Sequence, residues 1–220
     1  MRGIILKDLY DNFCIPKNAA FYIFGALAIS IGFFIPSEYY YVLISGVILP
    51  LFGCCALKSP TEQEESSSFN KLLITFPNSK AQIVTAKYLL GLGFVILFNF
   101  LALLWSMVQV YIHHTIRLTE ALRMWGIGIS ISLLFLAVIY VGFFLLGKRY
   151  GTIFFITITC LIAVVWGASS ALLGIQTILS CSPGLVICLI FSGAVMIVLS
   201  CLVSIGIYSR RYSTGTKNRY

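Results

Sequence analysis

The chain has 220 residues, of which 60% are hydrophobic and only 10% are charged. Because soluble globular domains carry about 25% charged residues, this composition excludes an ordinary soluble protein. Positive-inside topology and attraction to anionic lipid explain the net charge of +8, which therefore gives no evidence for nucleic-acid binding. The apolar residues form long runs without the alternation of barrel strands. The sequence predicts an all-α, polytopic membrane protein whose backbone hydrogen bonds close within helices.

The N-terminal stretch, residues 2–13, has the spacing of a short amphipathic helix. One side of this helix is predicted to hold Ile5, Leu6, Leu9, Tyr10 and Phe13. The other side would hold Lys7, Asp8 and Asp11. Such a helix can lie in the interface plane of a membrane with its apolar side among the lipid headgroups. The alternative is an unstructured leader whose charges only set the topology.

Six apolar runs predict six transmembrane helices, at about residues 19–35, 41–57, 88–112, 125–146, 152–173 and 185–208. If the N-terminus is cytoplasmic, 13 of the 15 Lys and Arg residues fall on the cytoplasmic side, and only Arg117 and Arg123 face outward. The positive-inside rule therefore predicts that both termini are cytoplasmic. No run has an ionisable residue near its centre, which argues against an ion-coupled transporter and an intramembrane hydrolase.

Several shorter patterns in and beside these runs have structural interpretations. The consecutive Tyr39, Tyr40 and Tyr41, together with Trp125, are typical of an aromatic belt at the membrane interface. Gly91 and Gly93 lie inside the third run and indicate close helix packing. The seven cysteines contain no metal-type Cys-x-x-Cys pair and are interpreted as small hydrophobic residues. No metal site is predicted.

The longest polar stretch, residues 58–87, connects the second and third predicted spans. It begins with an acidic, serine-rich segment and continues into a short predicted helix. The apolar stripe of that helix consists of Phe69, Leu72, Leu73 and Phe76, spaced i, i+3, i+4 and i+7. Either the membrane surface and the chain's own spans bury this stripe, or it docks into a groove on a cytoplasmic protein.

Pro77 ends the short helix, and a second helix is predicted to begin two residues later. Ser79 and Gln82 have the spacing of a capping box, which opens a helix at Lys80 that runs directly into the third span. A helix joined rigidly to a span can transmit the movement of a docked partner into the bilayer.

Two stretches resemble a known family. The start MRGIILKDL and the segment FNKLLITFPNSKAQIVTAKYLLG, residues 69–91, resemble small ABC-2-type permeases, including the permease subunits of the phenol-soluble modulin exporter. The resemblance implies a single transmembrane domain over residues 1–220. Residues 1–17 would form an elbow helix at the membrane surface, and residues 58–87 a cytoplasmic coupling loop.

The resemblance also implies roles for particular residues. Those expected to seat on an ATPase subunit are Phe69, Asn70, Lys71, Leu72, Leu73, Phe76, Pro77, Asn78 and Ser79. The residues expected to line the translocation path are Tyr22, Phe33 and Trp166.

By the same resemblance, the working complex would contain two permeases, identical or different, and two ATPase subunits in a bacterial plasma membrane. The cargo would be an amphipathic or antimicrobial peptide or a related membrane-active compound. The chain has no Walker-type phosphate loop, so ATP and Mg would bind the partner ATPase rather than this chain. The alternative is a membrane immunity protein that sequesters such peptides without transport. A membrane enzyme is disfavoured because no nucleophile–base or metal constellation is visible.

Overall fold

The computed structural model describes residues 2–32, 37–57, 60, 79–174, 177 and 179–217. Every regular element within these ranges is helical, as expected for an all-α protein. Most of the predicted coupling residues and one path residue lie outside the described residues: Phe33, Phe69, Asn70, Lys71, Leu72, Leu73, Phe76, Pro77 and Asn78.

The first part of the chain consists of short helices. Helix α1 is Arg2–Phe13 and helix α2 is Pro16–Gly32. The following segment, residues 38–57, joins four helical pieces in succession: α3 (Glu38–Leu43), a π-helical turn (Ile44–Ile48), α4 (Leu49–Gly53) and a 3-10 turn (Cys54–Leu57).

The second part consists of long helices. Helix α5 is Lys80–Tyr111. The next helical element, Leu118–Leu173, breaks at Gly147, whose φ of 73° and ψ of −170° suit glycine. Its two halves are α6 (Leu118–Gly147) and α7 (Arg149–Leu172). The last helix, α8, is Pro183–Lys217.

Four of the described helices are long and apolar enough to cross a membrane, over Lys80–Tyr111, Leu118–Gly147, Arg149–Leu172 and Pro183–Arg210. They correspond to the third to sixth predicted spans. The first and second predicted spans coincide with the shorter apolar helices Asn18–Leu27 and Glu38–Gly53. The structure therefore supports four spans, and six spans stay a prediction.

Pro50 explains the irregular helix of residues 38–57. Because proline has no N–H, the Gly46 carbonyl cannot accept the α-helical hydrogen bond from position 50. The turn before it widens, and the Leu49 N–H donates to the Ile44 carbonyl five residues back. On the neighbouring α6, a Cβ added to Gly128 would lie 2.8 Å from the Ser45 carbonyl oxygen. A glycine at 128 thus allows α6 to approach the π-helical turn.

The core lies between residues 38–57, α5 and α6, and α8 packs mainly along the α6–α7 pair. Half of the most apolar window of α6 is buried (50%), against 11% for α7 and 22% for α8. The outer helices of the chain therefore turn most of their apolar surface away from the core. Lipid or another transmembrane chain would cover that surface in a membrane.

Of the two glycines predicted to mark close packing, Gly91 faces another helix of the chain. A Cβ at Gly91 would collide with the hydroxyl oxygen of Tyr140, whose side chain is fully buried. A Cβ at Gly93 would meet no atom of the described residues within 4 Å. The close-packing prediction is confirmed for Gly91, and it stays a prediction for Gly93, whose side-chain position points in a different direction on the helix.

We expect Gly91→Ala to lower the stability of the protein by about 1–3 kcal/mol, the usual cost of overpacking. Gly93→Ala is the matched control on the same helix and should leave stability unchanged or slightly raised. Reversible unfolding in mixed micelles measures both. Equal stability for the two variants would contradict the close approach of α5 and α6.

Candidate functional site

Helix α5 is capped at its N-terminus by Ser79, as the sequence predicts. Ser79 has an extended backbone (φ −66°, ψ 147°), and its Oγ accepts a hydrogen bond of 3.2 Å from the Gln82 N–H. Gln82 Oε1 in turn accepts a 3.1 Å hydrogen bond from the Ser79 N–H. The capping box is confirmed, and the helix that it starts continues without a break to Tyr111. The chain that follows the predicted coupling residues is therefore one rigid rod through the bundle.

A buried polar cluster ties this rod to two other helices near its Ser79 end. The Tyr88 hydroxyl lies 2.6 Å from Ser200 Oγ and 2.9 Å from Ser204 Oγ, both on α8. Ser200 Oγ donates to the Ala137 carbonyl of α6 at 2.6 Å. Outside this buried cluster, at the exposed start of α5, Lys80 Nζ donates to the Ser209 carbonyl at 3.4 Å. Tyr88 thus joins α5, α6 and α8 through hydrogen bonds shielded from solvent.

The sequence analysis did not identify this cluster. The only sequence signal is that Ser200 and Ser204 stand four residues apart in an apolar run, which places them on one face of a helix. Serines of this kind are also compatible with local bonding to the helix's own carbonyls. Their partner, Tyr88, comes from a helix more than a hundred residues earlier in the chain.

Helix α1 forms, and its polar side faces the bundle. Asp8 and Asp11 are 1% and 7% exposed. Lys7 Nζ lies 3.3 Å from Asp8 Oδ1 and 3.0 Å from Asp11 Oδ2. Asn18 Nδ2 donates to the Asp11 carbonyl at 2.6 Å, which joins α1 to α2. On the adjacent α5, Lys87 is also buried, at 4% exposure. Burial of the Asp8 and Asp11 carboxylates is tolerable because Lys7 pairs with both.

The five apolar residues predicted to share one side of α1 divide into two groups. Leu6, Tyr10 and Phe13 are exposed, at 66%, 61% and 46%. Ile5 and Leu9 are half-buried and pack against the apolar core. The Phe13 ring also stacks on Phe94 of α5, with ring centroids 5.5 Å apart. The five side chains cover a wide arc of a short helix, so part of that arc meets the bundle while Leu6 and Tyr10 point outward.

Tyr22, a predicted path residue, lies in an aromatic seam between α1, α2 and α5. Its ring centroid is 5.2 Å from that of Phe13, 6.1 Å from that of Phe94 and 6.3 Å from that of Phe98. Its hydroxyl donates to Asn12 Oδ1 at 3.1 Å. Tyr22 therefore joins three helices, and its role in a path stays a prediction.

Trp166, the second path residue that the structure describes, is half-buried on α7 and packs against both parts of the core. Its Cζ2 atom lies 2.9 Å from the position that a Cβ on Gly46 would take. The indole thus contacts the π-helical turn of residues 38–57. Whether cargo passes this contact stays a prediction, and Phe33 lies outside the described residues.

The predicted aromatic belt is only partly present. Tyr39 is 72% exposed, as a belt residue should be, but Tyr41 is fully buried. The Tyr41 hydroxyl lies 3.0 Å from Ser106 Oγ and donates to the Ala121 carbonyl at 3.3 Å. Trp125 Nε1 donates to the Asn99 carbonyl at 2.8 Å. The belt prediction is wrong for Tyr41, because its ring turns inward where a hydroxyl partner is available.

A second polar contact lies deep within the bundle. Asn99, in the middle of α5, is buried. Its Nδ2 donates to Ser132 Oγ at 3.0 Å and to the Val95 carbonyl at 2.8 Å. Neutral groups of this kind join α5 to α6 without placing a charge at membrane depth. In the part of the chain that the structure describes, no group of three or more His, Cys, Asp or Glu residues is arranged to hold a metal ion.

Removing the Tyr88 hydroxyl should loosen α5 from α8. We expect Tyr88→Phe to destabilise the protein by about 0.6–1.7 kcal/mol, the range measured for hydrogen bonds between membrane helices. Tyr39→Phe is the control, because that side chain is exposed. A double-mutant cycle with Ser204→Ala, read by unfolding in mixed micelles, isolates the pair. A coupling energy near zero between Tyr88 and Ser204 would contradict a stabilising hydrogen bond between α5 and α8.

A comparison with known protein families gives one match over most of the chain. A family model described as "ABC-2 family transporter protein" matches residues 3–209, a range that takes in α1 from its second residue and extends into α8, the last of the four helices of spanning length. No curated protein and no solved structure matches the chain. Since the family match covers nearly the entire sequence, the chain belongs to the ABC-2 transporter family.

Proposed function

We propose that this chain is the permease subunit of an ABC exporter in which a separate ATPase subunit supplies the energy. Membership of the ABC-2 family supports a permease. The observation that carries the coupling proposal is the continuous helix α5, which starts at the Ser79 cap, directly after the predicted coupling residues, and ends at Tyr111. ATP and Mg would bind the ATPase.

In this proposal the ATPase seats on the stripe Phe69, Leu72, Leu73 and Phe76, with Asn70, Lys71, Pro77, Asn78 and Ser79 completing the contact. A displacement of that contact would reach Ser79 within three residues of Phe76. Because α5 is one helix, the displacement would continue into the bundle as a rigid-body motion. The Tyr88 cluster would pass it to α6 and α8, since its hydrogen bonds connect all three helices.

We further infer that α1 is the elbow helix and lies at the lipid–water boundary. Its buried acidic side and the stacking of Phe13 on Phe94 hold it against the bundle, while Leu6 and Tyr10 point outward. An apolar outward side suits lipid rather than water. Since α1 packs against α2 and α5, movement of α5 would reach the elbow helix as well.

The working unit would contain two permeases, of the same or of different sequence, and two ATPases in a bacterial plasma membrane. Support for a second permease comes from α7, of whose apolar window only 11% is buried within one chain. We propose amphipathic or antimicrobial peptides as cargo, and Tyr22, Phe33 and Trp166 as residues beside the path. Apolar and neutral polar side chains at the helix contacts suit a cargo of this kind better than a small ion.

Charged substitutions in the apolar stripe test the coupling proposal. Leu73→Glu and Phe76→Glu should each abolish co-purification of the ATPase and its hydrolysis of ATP, because a carboxylate in an apolar groove is left without solvent or partner. Ser67→Glu is the matched control, since it adds the same charge in the same loop outside the stripe. The measurement is a detergent pull-down of the tagged chain, followed by an ATPase assay.

The result also separates the proposal from its alternative. If the ATPase and its activity remain with both stripe variants, the coupling assignment fails. If the unmodified chain purifies alone and without ATPase activity, even when the genes beside its own are co-expressed, a peptide-sequestering immunity protein becomes the better account.

A further inference from the structure

A cavity of about 840 Å³ opens at the end of the bundle opposite to Ser79. Three parts of the chain meet there. They are Glu38 at the start of α3, the α5–α6 connection with its flanking turns (Val110, residues 114–117 and Glu120), and Thr177, Leu179 and Ser180 before α8. The distribution of Lys and Arg places this end outside the cell. A volume of this size is within the usual range for small-molecule sites, about 300–1,000 Å³.

The cavity has an apolar floor. Val110, Ile116 and Leu179 line it, and the last two side chains are buried, at 8% and 4% exposure. These residues come from α5, from the connection to α6 and from the segment before α8. An apolar surface at the bottom of an otherwise polar cavity favours a ligand with an apolar portion of its own.

The charged groups of the cavity lining have a negative balance. Glu38 and Glu120 contribute two carboxylates, and Arg117 contributes one guanidinium group. Among the described residues, no basic side chain lies within ion-pair distance of either carboxylate. Glu120 Oε2 accepts a hydrogen bond of 3.2 Å from the Arg117 N–H, which fixes its position at the start of α6.

One wall of the cavity is held by contacts that lie behind it. Thr115 Oγ1 donates to Gln109 Oε1 at 2.9 Å, and the Gln109 side chain is fully buried. The adjacent His114 has a φ of 51°, a left-handed conformation that is uncommon for residues other than glycine. The connection between α5 and α6 therefore has a defined shape at the cavity.

We propose that this cavity binds a cationic amphipath: a compound with an apolar body and a primary ammonium group. The body would cover the floor at Ile116 and Leu179, and the ammonium group would lie between Glu38 and Glu120. This inference rests on the proposed exporter function and on the orientation that the positive-inside rule predicts, and it adds a ligand class at the end from which cargo would leave. The site itself requires no ATPase.

Two probes of equal chain length and opposite charge test the ligand class. Octylammonium and octanoate are titrated calorimetrically into the purified chain in phosphatidylcholine nanodiscs, with empty nanodiscs as the blank for partition into lipid. We expect saturable binding of octylammonium above the blank, and weaker binding of octanoate. Glu38→Gln and Glu120→Gln should each weaken octylammonium binding about two- to fivefold, the range that exposed ion pairs provide.

Removal of the positive charge of the lining should change octylammonium binding in the opposite direction to removal of a carboxylate. Arg117→Gln should strengthen octylammonium binding, because it removes the one cation from the lining. Glu120→Gln keeps an oxygen that can accept the Arg117 N–H, so the start of α6 should remain intact. Glu64→Gln, on the opposite side by the positive-inside rule, is the matched control and should change nothing.

Several results would overturn the proposal: no binding above the blank, octanoate binding as tightly as octylammonium, or no weakening in either carboxylate variant. These results are independent of the exporter assignment. Phe76→Glu should lose the ATPase yet retain octylammonium binding. Conversely, a chain that binds the ATPase but not octylammonium would keep the proposed function and lose this site.

Discussion

Inside a bilayer every backbone hydrogen bond has to be made within the protein, and α5 satisfies this constraint with one uninterrupted helix from Lys80 to Tyr111. Its N-terminus is capped, because the Gln82 N–H donates to Ser79 Oγ and the Ser79 N–H donates to Gln82 Oε1. The other described helices are arranged around this rod: residues 38–57 and α6 pack along it, and α1 and α8 contact it. A displacement of Ser79 would therefore be transmitted through α5 to most of the bundle.

Helix α5 contacts its neighbours through neutral hydrogen bonds and through a close approach at a glycine. At the Ser79 end they are polar and buried, with Tyr88 bonded to Ser200 and Ser204. Farther along, Gly91 allows Tyr140 to approach closely, and Asn99 bonds to Ser132. Neutral polar contacts and small residues are the means by which membrane helices associate, because apolar surface gives no preference for protein over lipid. The same reasoning explains why no charge is needed at the centre of the bundle.

The sequence predicted what depends on local pattern and missed what depends on distant partners. The all-α class, the third to sixth spans, the Ser79 capping box and the close approach at Gly91 follow from hydropathy and short-range spacing. Tyr41 was expected at the membrane surface but is buried, because its hydroxyl has partners on α5 and α6. Likewise, Asp8 and Asp11 face the bundle, and the Tyr88 cluster joins residues with more than a hundred positions between them. Periodicity shows which side of a helix is polar but not what that side meets.

The most direct test of the central claim is whether an unbroken α5 is needed to transmit a nucleotide-driven movement. Thr85→Pro interrupts the helix between its cap and its buried part, whereas Lys80→Pro places proline at the first helical position after an extended Ser79, where it is tolerated. Spin labels at the exposed Tyr39 and Tyr111 report the distance between two chain segments at the far end, with and without ATP and vanadate, in complexes that retain the ATPase. The account predicts a nucleotide-dependent change of that distance in the parent and in Lys80→Pro, and none in Thr85→Pro. An unchanged response in Thr85→Pro, with the ATPase still bound, would contradict it.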